Sequence, residues 1–398
     1  MTRPTPRPRA RIVGLDVARC LALLGMIATH VIATYDEAGE RSWAAELAGG
    51  RASALFAVLA GVSLALMSGG ARPVRGRERA GVAVGLLARA VLIAALGLWL
   101  GGRDSGVAVI LTYYGVLFCL GIAFLGLRAR ALFVLAGVWA LVGPAVSFVV
   151  RPELPERGFD SPTFAHLTER PAELLAELTV TGYYPVLVWL AYLLLGMAIG
   201  RLDLRRTMTA ARLALVGLAL ALAAPVVSRL LVAQPAIRDA LRDSVATTWT
   251  PGIVPGDLDR SLEGSLHGNV PTDTWAWLAV ANPHASAPLD LARTGGSALL
   301  VIGVCVLAAR VLPRLWAIAF GAGAMTLTLY SLHVVLLGED VWTEGPDAFA
   351  RQVALALVVG AVFAVVRRRG PLEAVVAAAG RTVRNASQSG MHWGRMSP

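Results

Sequence analysis

Ten apolar runs recur along this chain, at 13–35, 49–68, 80–101, 106–126, 131–150, 184–201, 211–233, 291–311, 315–338 and 351–367. Each is about the length a helix needs to cross a hydrocarbon layer, roughly twenty residues. A backbone inside lipid must satisfy its own polar groups, which for such runs means helix. The expected fold class is therefore all-α: a polytopic integral membrane helical bundle of about ten transmembrane helices. A chain that is 56% hydrophobic and only 16% charged is not a soluble globular one. All 36 basic residues are arginine, and the formal net charge is +10. A nucleic-acid face would gather that charge on one surface. Here it falls in short clusters between apolar runs, as in cytoplasmic loops.

Arginine placement sets the direction of each run. Arg3, Arg7, Arg9 and Arg11 precede the first, and Arg72, Arg75, Arg77 and Arg79 follow the second. Arg128 and Arg130 follow the fourth, and Arg201, Arg205, Arg206 and Arg212 the sixth. Arg310 and Arg314 follow the eighth, and Arg367, Arg368 and Arg369 close the tenth. The opposite gaps are acidic or mixed. Both termini are then expected in the cytoplasm, with the chain multi-pass in the cytoplasmic membrane. The first run is expected to remain as an uncleaved helix, because it carries charge and has no convincing cleavage site. The domain reading is a basic N-terminus at 1–12, a membrane domain at 13–369 and a cytoplasmic tail at 370–398. The segments 151–183 and 234–290 are too long for simple turns, and the aromatic content of the second suggests packed lids on the outer side. The tail reads as an amphipathic helix on the inner membrane surface, followed by disorder. Cys20, Cys119 and Cys305 all lie inside apolar runs and read as small buried hydrophobes, so no metal is expected.

Ionisable groups inside spans are costly and are functional candidates by default. The first run holds Asp16, Arg19 and His30. At 100° per residue, eleven positions bring His30 back to within ~20° of Arg19, about 16 Å further along the same face. Asp16 and Arg19, three apart, can pair across one turn. That pair is either a structural device that lowers insertion cost or an anchor for a phosphate-bearing donor at the inner mouth. His30 suits a general base. His333, in MTLTLYSLHVVLL, falls at a similar depth and is the second catalytic candidate. Arg51 at the start of the second run and His284 in ANPHASAP lie on the same outer side, as candidate acceptor-binding groups. Each also has a plain reading, as a satisfied core histidine, a snorkelling arginine or a solvated loop residue. Tyr113 and Tyr114 read as part of an interfacial aromatic belt.

These stretches resemble a family. GLDVAR, GMIATH and RASALFAVLAGVSLAL are similar to the N-terminal part of bacterial polytopic proteins related to heparan-α-glucosaminide N-acetyltransferase. TGYYPVLVWLAYLLLGMAIGRLDL, NPHASAPLDLARTGGSALLVIG and MTLTLYSLHVVLL resemble the later landmarks of that branch, in its order. The spacing from Arg19 to His30 also resembles that of membrane sugar O-acyltransferases. The resemblance implies transfer of an acyl group, typically acetyl, from cytoplasmic acetyl-CoA to a sugar or envelope acceptor across the membrane. It implies His30 as the leading catalytic histidine, with Asp16 and Arg19 near the donor. One departure stands out: the lysosomal enzymes carry a catalytic histidine in the loop after the first helix, and residues 36–50 here contain none. The expected partners are the bilayer, acyl-CoA and the acceptor, with no nucleic acid and with a homodimer left open. A transporter or exporter of a small solute or envelope precursor is the alternative, since proton relays use the same residue types.

Overall fold

The computed structural model describes residues 11–393 apart from Glu156, Phe159, Asp160 and Trp249, with side chains as far as residue 386. Residues 1–10 of the expected basic N-terminus and the last five of the tail lie outside that range. Among the described residues there are only helices, turns and two isolated bridges. We number the principal helices α1 Val13–Val31, α2 Arg51–Met67, α3 Gly76–Gly101, α4 Leu111–Gly121, α5 Ala129–Val150, α6 Val186–Gly200, α7 Thr207–Val232, α8 Pro288–Ala308, α9 Thr326–Gly338, α10 Gly345–Val365 and α11 Pro371–Trp393.

Among the described residues, seven helical stretches are long and apolar enough to span a membrane: α1, Trp43–Met67, α3, Ala129–Glu153, α7, α8 and α10. The pair Pro171–Thr181 and α6, bent by 51° at their junction, makes an eighth. The fourth and ninth expected runs appear as shorter apolar helices, Leu111–Phe124 and α9. Their shortening has physical causes. Ahead of α4 the chain is not helical; Gly106 takes a positive φ of 66° and Val109 N–H donates to Ser161 Oγ at 3.0 Å. The ninth run is broken into Pro313–Ala319, a 3-10 turn at Gly321–Ala324 and α9. There the backbone comes so close to α1 that a Cβ on Gly323 would lie 1.7 Å from Asp16 O.

Helices α1, α2, α6 and α8 form the centre. Small residues bring their backbones together, as expected where lipid supplies no hydrophobic drive. A Cβ on Gly196 would sit 1.9 Å from Val58 O, and one on Gly61 2.2 Å from Leu193 O, so α2 and α6 cross at backbone contact. Gly217 and Gly296 do the same for α7 and α8. The outer helices turn apolar side chains away from the protein: Val134, Leu141 and Val149 on α5, Leu215, Leu222 and Leu230 on α7, Val358, Val362 and Val365 on α10. Surface of that kind belongs against lipid tails.

The segment after α7 folds as a packed unit, with helices Pro235–Thr247 and Leu258–Glu263 and a 3-10 turn at Trp275–Ala279. Its core centres on Trp277, fully buried, whose Nε1 donates to Ser244 Oγ at 2.7 Å. The tail helix α11 continues to Trp393 and packs along α3, with Gly85 and Gly380 at backbone contact. Glu373 at its start accepts from Leu327 N, Thr328 N and Thr328 Oγ1 at 2.6–3.1 Å, which caps α9.

Tyr113 and Tyr114 do not form a belt. They are 1% and 3% exposed, and their hydroxyls donate to Glu177 Oε1 at 3.0 Å and Ser53 O at 3.3 Å. Burial is tolerable because each phenol finds an acceptor.

Candidate functional site

Helix α1 carries an ion pair near one end and an imidazole near the other. At the first, Asp16 is 5% exposed and accepts from Arg19 Nη1 at 2.8 Å, and it is also ion-paired with Arg11. The i,i+3 spacing makes the first contact almost inevitable in a helix. Arg19 Nη2 then reaches α2, donating to Ser63 Oγ at 2.9 Å. A guanidinium fixed on two sides keeps its planar fork pre-organised. Arg19 forms part of the wall of a cavity of about 150 Å³ whose other lining includes Phe56, Leu59, Tyr114, Phe118 and Thr326. Arg11 opens onto a different cavity of about 250 Å³, together with Arg205 and Arg310. Asp16 thus holds two cations that face two separate spaces.

At the other end of α1, the structure brings His30 and His333 together. His30 Nδ1 and His333 Nε2 are 2.8 Å apart, with the rings within 6° of parallel. His30 is half-buried and keeps accessible surface, whereas His333 is 2% exposed. The second nitrogen of His333 is also engaged: Nδ1 lies 2.5 Å from Gln352 Oε1 on α10. With both nitrogens occupied and no surface, His333 has nothing left with which to touch an acceptor. Its expected role beside His30 becomes one exerted through His30. Among the described residues, no group of three or more His, Cys, Asp or Glu is arranged to hold a metal ion.

His284 lies close enough to His30 to act on it electrostatically. It sits on a strained loop: His267, His284 and Ser286 all have φ near +50°, unusual for non-glycine residues. The strain is held by neighbours. Gly268 N donates to His284 O at 2.8 Å, Leu266 N to Pro283 O at 3.0 Å, and Asn269 Nδ2 to Thr181 O and Gly182 O at 2.9 and 3.1 Å. Asn269 thereby caps the π-helical turn at Glu177–Thr181, just before the bend into α6. The imidazole of His284 meets Tyr183 and Tyr184 edge-on, with centroids 4.8 and 5.9 Å away.

Burial pushes His284 down to about 3, with the charges of His267 and Arg157 adding to it. In the unfolded chain a histidine titrates near 6.5. Between those values the unfolded state binds the extra proton and the folded state does not, so stability falls as pH drops from 6.5 towards 3. His267 is lowered too and acts in the same direction. His284→Asn tolerates the left-handed backbone and removes the titration. Its melting temperature is expected to fall less steeply than the wild type's between pH 6.5 and 4; identical slopes would exclude His284 as a source.

Arg51 follows Gly50, whose backbone packs against Pro283 and His284. It donates to Glu46 O, and its electrostatic neighbours are Arg293, Arg41, Asp290 and Glu46. Asp290, 3% exposed, accepts from Ser286 N at 3.1 Å and leaves Oδ1 unpartnered. In the sequence Gln352 and Tyr183 carry no assigned role, and Ser63 only one in the small-residue packing face Gly61–Ser63. Gln352 had one visible signal, a lone amide inside the apolar run QVALALVVGAV.

No curated protein matches the chain. A family model described as heparan-alpha-glucosaminide N-acetyltransferase, catalytic, matches residues 11–229. The matched stretch contains Asp16, Arg19, His30 and Arg51 and stops before His284, His333 and Gln352. With more than half of its 398 residues covered, and with a polytopic helical fold around a polar first helix, the chain belongs to the heparan-alpha-glucosaminide N-acetyltransferase catalytic family, a family of membrane acetyltransferases.

Proposed function

We propose that the protein transfers an acetyl group from cytoplasmic acetyl-CoA to a sugar or other envelope acceptor on the far side of a bacterial cell membrane. In this reading the chain crosses ten times, with the short helices α4 and α9 completing the count, and both termini are cytoplasmic. The observation that carries it is the division of α1: a guanidinium fixed by Asp16 and Ser63 at one end, and an accessible imidazole bonded to a sealed one at the other.

The donor's phosphates bind near Arg19, with the loop arginines adding charge. The pantetheine arm follows the aromatic-lined cavity beside Arg19 towards His30, over the ~16 Å that separates the two residues along a helix. His30 takes the proton from the acceptor's hydroxyl or amine as that atom attacks the thioester carbonyl. A C–O or C–N bond forms, the C–S bond breaks, and the departing thiolate recovers the proton from His30. His284 and Arg51 orient the acceptor, and His333 supports His30.

Arg19→Ala tests the donor assignment. Loss of a charge-assisted contact to phosphate is expected to weaken acetyl-CoA binding about ten- to hundredfold, measured by calorimetry on purified protein. Unchanged affinity would remove Arg19 from the donor site.

One observation favours the alternative of a transporter: the ninth expected span is interrupted at Phe320–Met325, a bent break at Gly182–Pro185 precedes α6, and discontinuous helices are common at transport sites. A transporter moves its solute unmodified, so the two readings separate on whether a covalent product appears.

A further inference from the structure

Gln352 has no part in the reading above, yet it is as enclosed as His333, at 2% exposure, in the buried stripe Ala348, Gln352, Ala356 and Gly360 of α10, whose opposite face carries Val358, Val362 and Val365 towards lipid. Its amide has two contacts. Nε2 donates to Trp342 O at 2.8 Å, and Oε1 lies 2.5 Å from His333 Nδ1. The first fixes the second. A backbone carbonyl only accepts, so the amide's NH₂ must face Trp342 and its oxygen must face His333. Flipping the amide would set oxygen against oxygen at one end. The carbonyl itself is held by a tight loop in which Asp340 and Trp342 have φ of 56° and 55°, costly values for non-glycine residues.

The consequence passes along the chain of contacts. An oxygen facing His333 Nδ1 requires that nitrogen to carry the proton. In the neutral ring Nε2 is then bare and can only accept, so the 2.8 Å contact is a donation from His30 Nδ1–H. That leaves the lone pair of His30 on Nε2, the nitrogen not used within the protein.

We infer that Gln352 is a positioning residue which, through His333, sets the tautomer of His30 and presents His30 Nε2 as the basic atom. The inference rests on the acetyl-transfer reading only for its catalytic consequence; the tautomer stands without it. When His30 Nε2 takes the acceptor's proton, the new positive charge is shared with His333 through the existing bond. The amide oxygen of Gln352 stabilises it without accepting a proton, and the departing thiolate takes the proton back from Nε2.

The test uses full-length protein with ¹⁵N-labelled histidine and two variants. Gln352→Met keeps length and apolar volume but offers only a weak thioether acceptor. Gln352→Glu keeps a strong acceptor for His333 but gives up the donor to Trp342 O. In the wild type, nitrogen spectra are expected to show protonated Nδ1 and bare Nε2 on both His30 and His333. In Gln352→Met that preference should be lost. In acetyl transfer, Gln352→Met should lower kcat about ten- to hundredfold with KM nearly unchanged. Gln352→Glu should recover most of that kcat although it fits the Trp342 carbonyl less well. A purely structural role would make Glu no better than Met. Wild-type tautomers in Gln352→Met, or full kcat in that variant, would overturn the inference and leave the function standing. Absence of transfer by the wild type with the expected tautomers present would overturn the function and leave the tautomer assignment standing.

Discussion

His30→Ala is expected to lower acetyl transfer by about 10²–10⁴-fold, the usual contribution of a positioned general base. The protein should remain folded. His30 is half-buried, and the ring's removal strips His333 Nε2 of its partner, which costs about 1–3 kcal/mol. His30→Gln sharpens the result. Its amide can still donate towards His333 Nε2 but cannot accept a proton at neutral pH, so it should melt close to wild type and be as inactive as the alanine variant. Turnover with labelled acetyl-CoA and thermal melting, both in detergent, are the two readouts. Wild-type turnover in either variant would remove His30 from the chemistry.

The largest expected loss of stability lies elsewhere, at Arg201. This side chain follows α6 and is 4% exposed. Nη1 donates to Ala65 O, Ser68 O and Gly70 O at 2.9–3.2 Å, and Nη2 donates to Ser68 Oγ at 3.0 Å and Leu125 O at 2.6 Å. One guanidinium therefore ties the ends of α2 and the α4 segment to the end of α6. Helix C-termini leave carbonyls unpaired and carry partial negative charge, so a cation there satisfies both. Arg201→Leu takes a charged donor from four buried carbonyls at once, of which Ala65 O and Ser68 O keep backbone donors, a loss on the order of 3–5 kcal/mol. The expected result is a sharp drop in melting temperature and in recovered folded protein. Arg201→Lys should restore part of it, since an ammonium has three donors but no fork. A leucine variant as stable as wild type would contradict this account of the junction.

Arg201 also shows why the sequence reading reached only part of the structure. In a sequence it is one more arginine after an apolar run, and it counts towards orientation like its exposed neighbours Arg205 and Arg206. Nothing local distinguishes it, because its partners come from residues some 75 to 135 positions away. The all-helical class was legible, since length and hydropathy act locally. The Asp16–Arg19 pair was legible too, because i,i+3 geometry needs only a helix. The pairing of His30 with His333 was visible as a shared depth but not as a bond. The lateral position of α9 depends on the Gly323 contact with α1, which no periodicity reports. Gln352 was harder still, for its meaning depends on a carbonyl in a strained loop ten residues back. The tyrosines misled because an amphipathic ring near a helix end suits an interface and a hydrogen-bonded core equally well.

Covalent transfer across the bilayer can be read out in sealed vesicles. Purified protein is reconstituted into sealed vesicles loaded with a mixture of envelope sugars, isotopically labelled acetyl-CoA is added outside, and the lumen is analysed by mass spectrometry for molecules that have gained labelled acetyl. A labelled acetyl product is expected in the lumen of vesicles carrying the wild type, together with free CoA outside, and neither in vesicles carrying His30→Ala. Passage of sugars through the wild-type protein with no labelled acetyl on any of them would contradict covalent transfer.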